Sequence, residues 1–219
     1  MRKSGVLLHI TSLPSPGGIG TLGQAAYDFV DFVHSAGMNI WQVLPVGPTG
    51  YAESPYQSTS TYAGNPLMID IPFLERDGIL PEGTYHPLPN AGQIDFEAVK
   101  AQHAELLGAA YAHARERMAD EIDAFAGSHP WARDYALFRA IKEHFDLVSW
   151  MEWPDEDIRL RKPEAVARYS EELKDRVGYY LFEQVLFFRQ WSALHDYARA
   201  NGVELMGDMP IYVAEDSAD

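Results

Sequence analysis

Residues 40–66 read IWQVLPVGPTGYAESPYQSTSTYAGNP, and the architecture turns on this segment. Its first seven residues are nearly all apolar, as in a strand buried on both faces of a parallel sheet. The remainder is a loop rich in Gly, Pro, Ser and Thr that nevertheless carries Tyr51, Tyr56 and Tyr62. Aromatic rings in a polar loop either pack or bind something. A strand running into such a loop delivers those rings to its carboxyl end, where parallel α/β proteins keep their ligand sites.

Upstream, Gly5–Ile10 reads as a first buried strand, followed by a Pro- and Gly-rich loop. Thr21 with Gln24 three residues on forms a capping box. Leu22, Ala26, Phe29, Val30, Val33 and Ala36 then define one apolar helix face, and Gly37 ends the helix. Residues 5–46 thus form a strand–helix–strand unit.

Downstream, Leu67–Ile71 is a short apolar run, and the Pro- and Gly-rich residues 72–94 read as irregular connector. Helical periodicity runs from Asp95 to Gly127. It restarts at Ser128 and Pro130, again at Pro163, and continues through Val177, Leu181, Val185, Phe188, Trp191, Leu194 and Ala198 to Asn201-Gly202. Residues 203–213, VELMGDMPIYV, read as a third strand broken at Gly207-Asp208 and Pro210. The order strand, helix, strand, helices, strand is the opening of an α/β protein. A complete eight-fold barrel takes about 250 residues, so the roughly 115 residues outside a helical insertion make about three units. The expected organisation is 1–71 for strands 1 and 2 with their loop, 72–175 for a helical insertion subdomain, and 176–219 for a helix and strand 3.

The 219 residues are 47% hydrophobic and 22% charged, which suits a protein with a sizeable core. A formal charge of −15 repels phosphate backbones and anionic lipid, disfavouring nucleic acid and membrane surfaces as partners. The absence of cysteine excludes disulfides and thiolate metal sites and suits a cytoplasmic location. The apolar run near the amino terminus is shorter than the roughly 7–15 residues of a signal-peptide core.

Gly18-Ile19-Gly20-Thr21-Leu22-Gly23 matches the dinucleotide-binding fingerprint, but the long prolyl loop before it and the missing acid after strand 2 count against that reading. Tyr51, Ser54, Tyr56 and Gln57 combine flat apolar faces with hydroxyl and amide donors, the pairing a sugar requires. Tyr62 is read instead as filling a gap beneath the loop. Asp208, near the end of strand 3, either joins the site or caps a backbone turn. His9 at the end of strand 1 either joins the same site or is a satisfied core histidine, the second reading being preferred, and Glu215, Asp216 and Asp219 are read as a solvated acidic loop. No pair among the eight histidines has metal-ligand spacing, so no metal is indicated.

The stretches GVLLHITSLPSPGGIGTLG (5–23), WQVLPVGPTGYAESPYQS (41–58), YAGNPLMID (62–70), LFFRQW (186–191) and GDMPIYVAEDSAD (207–219) resemble, in order, those of the amylomaltases, the 4-α-glucanotransferases related to α-amylases. The resemblance implies the amino-terminal part of a (β/α)8 TIM barrel, its first three strands, with a helical insertion between strands 2 and 3. It implies cofactor-free transfer of α-1,4-glucan segments to the 4-hydroxyl of an acceptor by retaining double displacement. Tyr56 then corresponds to the tyrosine that packs on the sugar at the cleavage site, with Ser54 and Gln57 lining that loop. Tyr51 corresponds to a glucan-binding tyrosine near the site, and Asp208 to an aspartate that orients an active-site arginine. The family's catalytic carboxylates come from later strands, so no residue here is assigned as catalytic. The expectation is a fragment without turnover, prone to self-association through an uncovered strand edge. A non-catalytic glucan-binding module is the alternative, and a dinucleotide-binding oxidoreductase the remote one.

Overall fold

The computed structural model describes residues 2–89, 92–211 and 214–219. Three short strands, β1 (Gly5–Leu7), β2 (Ile40–Gln42) and β3 (Glu204–Met206), form a parallel sheet in the order β1-β2-β3. Val6, Trp41 and Leu205 share one register row across it. The helix α1 (Gln24–Ser35) lies between β1 and β2, and the long α8 (Lys174–Ala200) precedes β3. Trp41 is fully buried and meets the Phe29 ring of α1 edge-on, centroids 4.8 Å apart.

The opposite face differs from the reading of doubly buried strands. Leu7 and Met206 are exposed there, and Ile40 and Gln42 are half-buried, so burial alternates with a period of two. The ladders are also shorter than expected. Ile10 belongs to a 3-10 turn (Ile10–Ser12) rather than to β1. β3 ends before Gly207, and Tyr212 and Val213 of the expected third strand lie outside the described residues. Ile10 and Val43 lie beyond the strand ends yet are buried in the shared core, and Val43 N still donates to Met206 O at 2.9 Å.

Residues expected to be irregular include α2 (Ile71–Arg76), capped by Asp70, whose Oδ1 accepts from the Phe73 amide at 3.0 Å. The same carboxylate explains why the capping box at Thr21 does not form. Thr21 Oγ1 donates to Asp70 Oδ2 at 2.6 Å, and α1 starts two residues later behind Gly23, with no side-chain cap. Gly23 sits so close to Asp70 that a Cβ would overlap the carboxylate. The positive φ of Gly37 (72°) does close α1 as expected, but Ala36 is exposed.

The periodic stretch from Asp95 breaks into α3 (Phe96–Ala114) and α4 (Ala119–Ser128). Ser128 ends α4 rather than capping α5 (Pro130–His144), whose N-cap is His129. The short α6 (Glu156–Arg159) and α7 (Pro163–Glu172) complete the helical layer. Residues 179–187 of α8 are buried on every side, making it the axis on which α1, α3, α4, α5, α7 and β3 pack. One apolar cluster runs from Ile10 to Val203 and takes residues from the sheet, α1, α3, α4, α5 and α8, so sheet and helices share a core. Among the described residues, no helix is long and apolar enough to cross a membrane.

Candidate functional site

The loop leaving β2 folds back on itself. Gly50 N donates to Gln57 O at 2.8 Å, Thr59 N to Pro48 O at 3.1 Å, and Thr49 bridges Ser58 in antiparallel fashion. Its tip contains a strained turn, with Ala52 and Glu53 both at φ 55°, a left-handed conformation unfavourable for residues bearing a Cβ. Glu53 holds that turn. Its Oε2 accepts from Thr49 Oγ1 at 2.6 Å, and its Oε1 is ion-paired with Lys100 of α3.

From this frame Tyr56 reaches across to the end of β3. Its Oη donates to Asp208 Oδ2 at 2.7 Å, joining side chains 152 positions apart at the carboxyl ends of adjacent strands. The bond pushes the Tyr56 hydroxyl above its ordinary value, because Asp208 favours the protonated phenol. Asp208 Oδ1 also accepts from the Met209 amide at 2.9 Å. Asp208 thus holds its own backbone through one oxygen and the Tyr56 side chain through the other.

Ser54 supports Tyr56, its Oγ accepting from the Tyr56 amide at 3.3 Å, and its carbonyl accepts from Gln57 N at 3.0 Å. The Gln57 side chain is exposed. Tyr51 lies in the strained turn, and its side chain falls outside the described part of the structure. Beside Asp208 opens a cavity of about 190 Å³ between the ends of β2 and β3 and the flank of α8, with Pro45, Ser60, Tyr62, Phe188 and Trp191 among its walls. Asp208 is the one carboxylate lining it among the described residues.

Several residues that build this region were missed by sequence reading. Gln184 of α8 is fully buried and grips the Gly64 peptide from both sides: Gly64 N donates to its Oε1 at 2.8 Å, and its Nε2 donates to Gly64 O at 3.1 Å. Gln190, almost two turns on, holds the Asp70 peptide in the same way, at 2.7 and 3.0 Å. Of the terminal acids, Glu215 and Asp219 are exposed as expected and Asp216 is half-buried, but Asp216 and Asp219 are tied to the fold. Asp219 accepts from Ser60 Oγ at 3.3 Å and from the Thr61 amide, and Asp216 Oδ1 accepts from the Trp150 amide at 3.1 Å. Tyr62 fills no gap, being 59% exposed. His9 is half-buried with Nδ1 unpartnered among the described residues, and burial pushes its pKa down to about 4. The glycine fingerprint spans no tight turn, since residues 8–23 separate β1 from α1.

A parallel sheet whose polar loops converge at its carboxyl edge on a tyrosine–aspartate pair, with helices packed beside it, defines the class as α/β. Residues 8–219 match the family model described as 4-alpha-glucanotransferase, and the chain belongs to that family. It is 43% identical over 224 aligned residues to the 4-alpha-glucanotransferase of Streptococcus pneumoniae (strain TIGR4), covering 100% of this chain and 44% of that protein. The Thermus thermophilus 4-alpha-glucanotransferase gives the same identity and coverage. The plastid enzyme of Solanum tuberosum is 36% identical, with 100% of this chain and 39% of that protein covered. The amylomaltase from Streptococcus agalactiae in complex with acarbose superposes with a TM-score of 0.95 at 38% identity, over 100% of this chain and 45% of the other. The chain therefore spans less than half the length of these relatives.

Proposed function

We propose that these 219 residues form the glucan-receiving amino-terminal part of a cytoplasmic 4-α-glucanotransferase. The observation that carries this reading is the hydrogen bond between Tyr56 and Asp208, which places an aromatic face and a carboxylate acceptor at one site. An α-1,4-glucan offers the matching surfaces, apolar C–H faces and a fringe of hydroxyls. Ser54, Gln57 and Tyr51 share the loop that frames the sugar. In this reading β1, β2 and β3 are the first strands of a (β/α)8 barrel, and the open sheet face bearing Leu7, Ile40, Gln42 and Met206 is its interior wall. That wall is also the surface through which the chain associates with itself when alone.

Retaining transfer between glucans uses two carboxyls about 5–5.5 Å apart, one as nucleophile and one as acid/base. Asp208 is the one carboxylate in the lining of the cavity among the described residues and is already committed to Tyr56 and the Met209 amide. Its role is therefore to bind and orient, and residues 1–219 by themselves do not turn over. Purified chain incubated with maltotriose is expected to release no glucose, and measurable release would refute this assignment. Titration calorimetry with maltoheptaose tests the glucan site itself, which is lost if no heat of binding is seen at millimolar ligand. NADH fluorescence is expected to stay unchanged on mixing.

A further inference from the structure

Tyr62 is a large aromatic side chain on a rigid loop, yet it is left in solvent. Its neighbours Ser60 and Ala63 are almost fully buried, and Ser60 Oγ accepts from the amides of Tyr62 and Ala63, both at 3.3 Å. Gln184 clamps Gly64 two residues on. The backbone that carries Tyr62 is thus fixed before any ligand arrives. Its ring lies nearly parallel to that of Trp131, at an interplanar angle of 17° with centroids 6.2 Å apart. Trp131 is in turn backed by Phe125 edge-on at 6.1 Å and by Phe188 at 5.8 Å. The pair forms a ledge with a packed rear and an open face. Tyr62 and Phe188 also line the cavity that contains Asp208, so ledge and tyrosine–aspartate pair belong to one continuous surface.

We infer that the Tyr62–Trp131 ledge is a remote subsite for an α-1,4-glucan, engaging sugar units beyond those held at Tyr56 and Asp208; this rests on the proposed glucan site. Stacking on an aromatic ring needs only the apolar face of a pyranose, so the ledge requires no polar partner of its own. The immobilised loop means that little conformational freedom is lost on binding, which makes even a modest contact effective. The ledge accordingly sets chain-length preference: a short oligosaccharide fills the Asp208 end, and only a longer one reaches Tyr62. The excess of acidic residues makes an anionic occupant unfavourable and a neutral sugar acceptable.

The test is the ratio of the dissociation constants for maltotriose and maltoheptaose, measured by calorimetry on the 219-residue chain. The wild-type ratio is expected to favour maltoheptaose by about fivefold. Tyr62→Ala brings that ratio to about one, whereas Tyr62→Phe keeps it. In the wild type, the indole N–H resonance of Trp131 shifts with maltoheptaose and stays in place with maltotriose, a readout that needs no variant to fold. An unchanged ratio in Tyr62→Ala, or an unmoved Trp131 resonance at saturating maltoheptaose, overturns the subsite alone. A wild-type chain that binds neither sugar overturns the glucan site from which it was drawn.

Discussion

Replacing Gln184 by Leu removes a clamp on which the loop carrying Tyr62 depends. The side chain is fully buried and makes two hydrogen bonds, at 2.8 and 3.1 Å, to the two polar groups of the Gly64 peptide. Leucine fills a similar volume, so the change isolates lost polar partners from lost packing. It leaves one buried N–H and one buried C=O without partners, each costing about 1–3 kcal/mol. Allowing for the apolar gain of the leucine, the net destabilisation is about 2–4 kcal/mol. For a chain of this size each kcal/mol lowers Tm by about 2–4 °C, so calorimetry should show a fall of roughly 5–15 °C. Gln184→Glu separates the two bonds. The carboxylate still accepts from Gly64 N but faces the Gly64 carbonyl with another acceptor, and protonation restores a donor. Its deficit relative to wild type, measured by urea unfolding at each pH, should therefore shrink between pH 8 and pH 5. A loss below about 1 kcal/mol in Gln184→Leu, or an amide of Gly64 that exchanges as fast as that of an exposed loop, would refute the clamp.

Gly64→Ala drives a Cβ into the Phe187 ring, and the chain should lose about 1–3 kcal/mol in urea unfolding, with Phe187→Ala partly restoring the double variant. His9 titrates near pH 4 when folded and near 6.5 when unfolded, so the unfolded state binds the extra proton between those values. Its contribution is complete above about pH 6.5 and lost as pH falls towards 4, in total about 1–2 kcal/mol once solvent screening of the half-buried ring is allowed for; burial lowers His103 in the same direction. His9→Gln should flatten the fall in the urea midpoint between pH 7 and pH 5. Lys100→Met breaks an ion pair whose lysine is 44% exposed and whose Glu53 carboxylate is 14% exposed, so global stability should fall by about 1–2 kcal/mol. The strained turn at Ala52-Glu53 loses its tether, however, and amide exchange across residues 50–57 should accelerate while α3 stays protected.

What sequence reading reached, and what it missed, follow one physical division. Signals acting within a few residues were legible: the apolar face of α1, its closure at Gly37, the prolines opening α5 and α7, and the run of residues that makes α8 central. Apolar content alone overstated the strands, because burial in the core does not require strand pairing: Ile10 is fully buried inside a 3-10 turn. The Thr21 capping box failed for a long-range reason. Asp70 draws the hydroxyl away from the α1 amides, and no local rule anticipates a carboxylate 49 positions distant. Gln184 with Gly64, Gln190 with Asp70, and Lys100 with Glu53 are contacts of the same type, polar pairs that exist only once the chain has folded. The Tyr62 error had a different source. Composition placed an aromatic in a polar loop without telling which side of the loop the ring would occupy.

The Tyr56–Asp208 pair was reachable from sequence because strand direction does the work. Both residues follow strands of one parallel sheet, and parallel strands send their carboxyl ends to the same edge. Adjacency of β2 and β3 then brings the two loops within reach of each other, whatever intervenes. The chain between them builds α2 to α8, of which α8 packs on β3 and supplies Gln184, while α3 supplies Lys100, to fix the loop. The helical layer thus pre-orders the tyrosine loop, so that Tyr56 is set beside Asp208 by the fold itself.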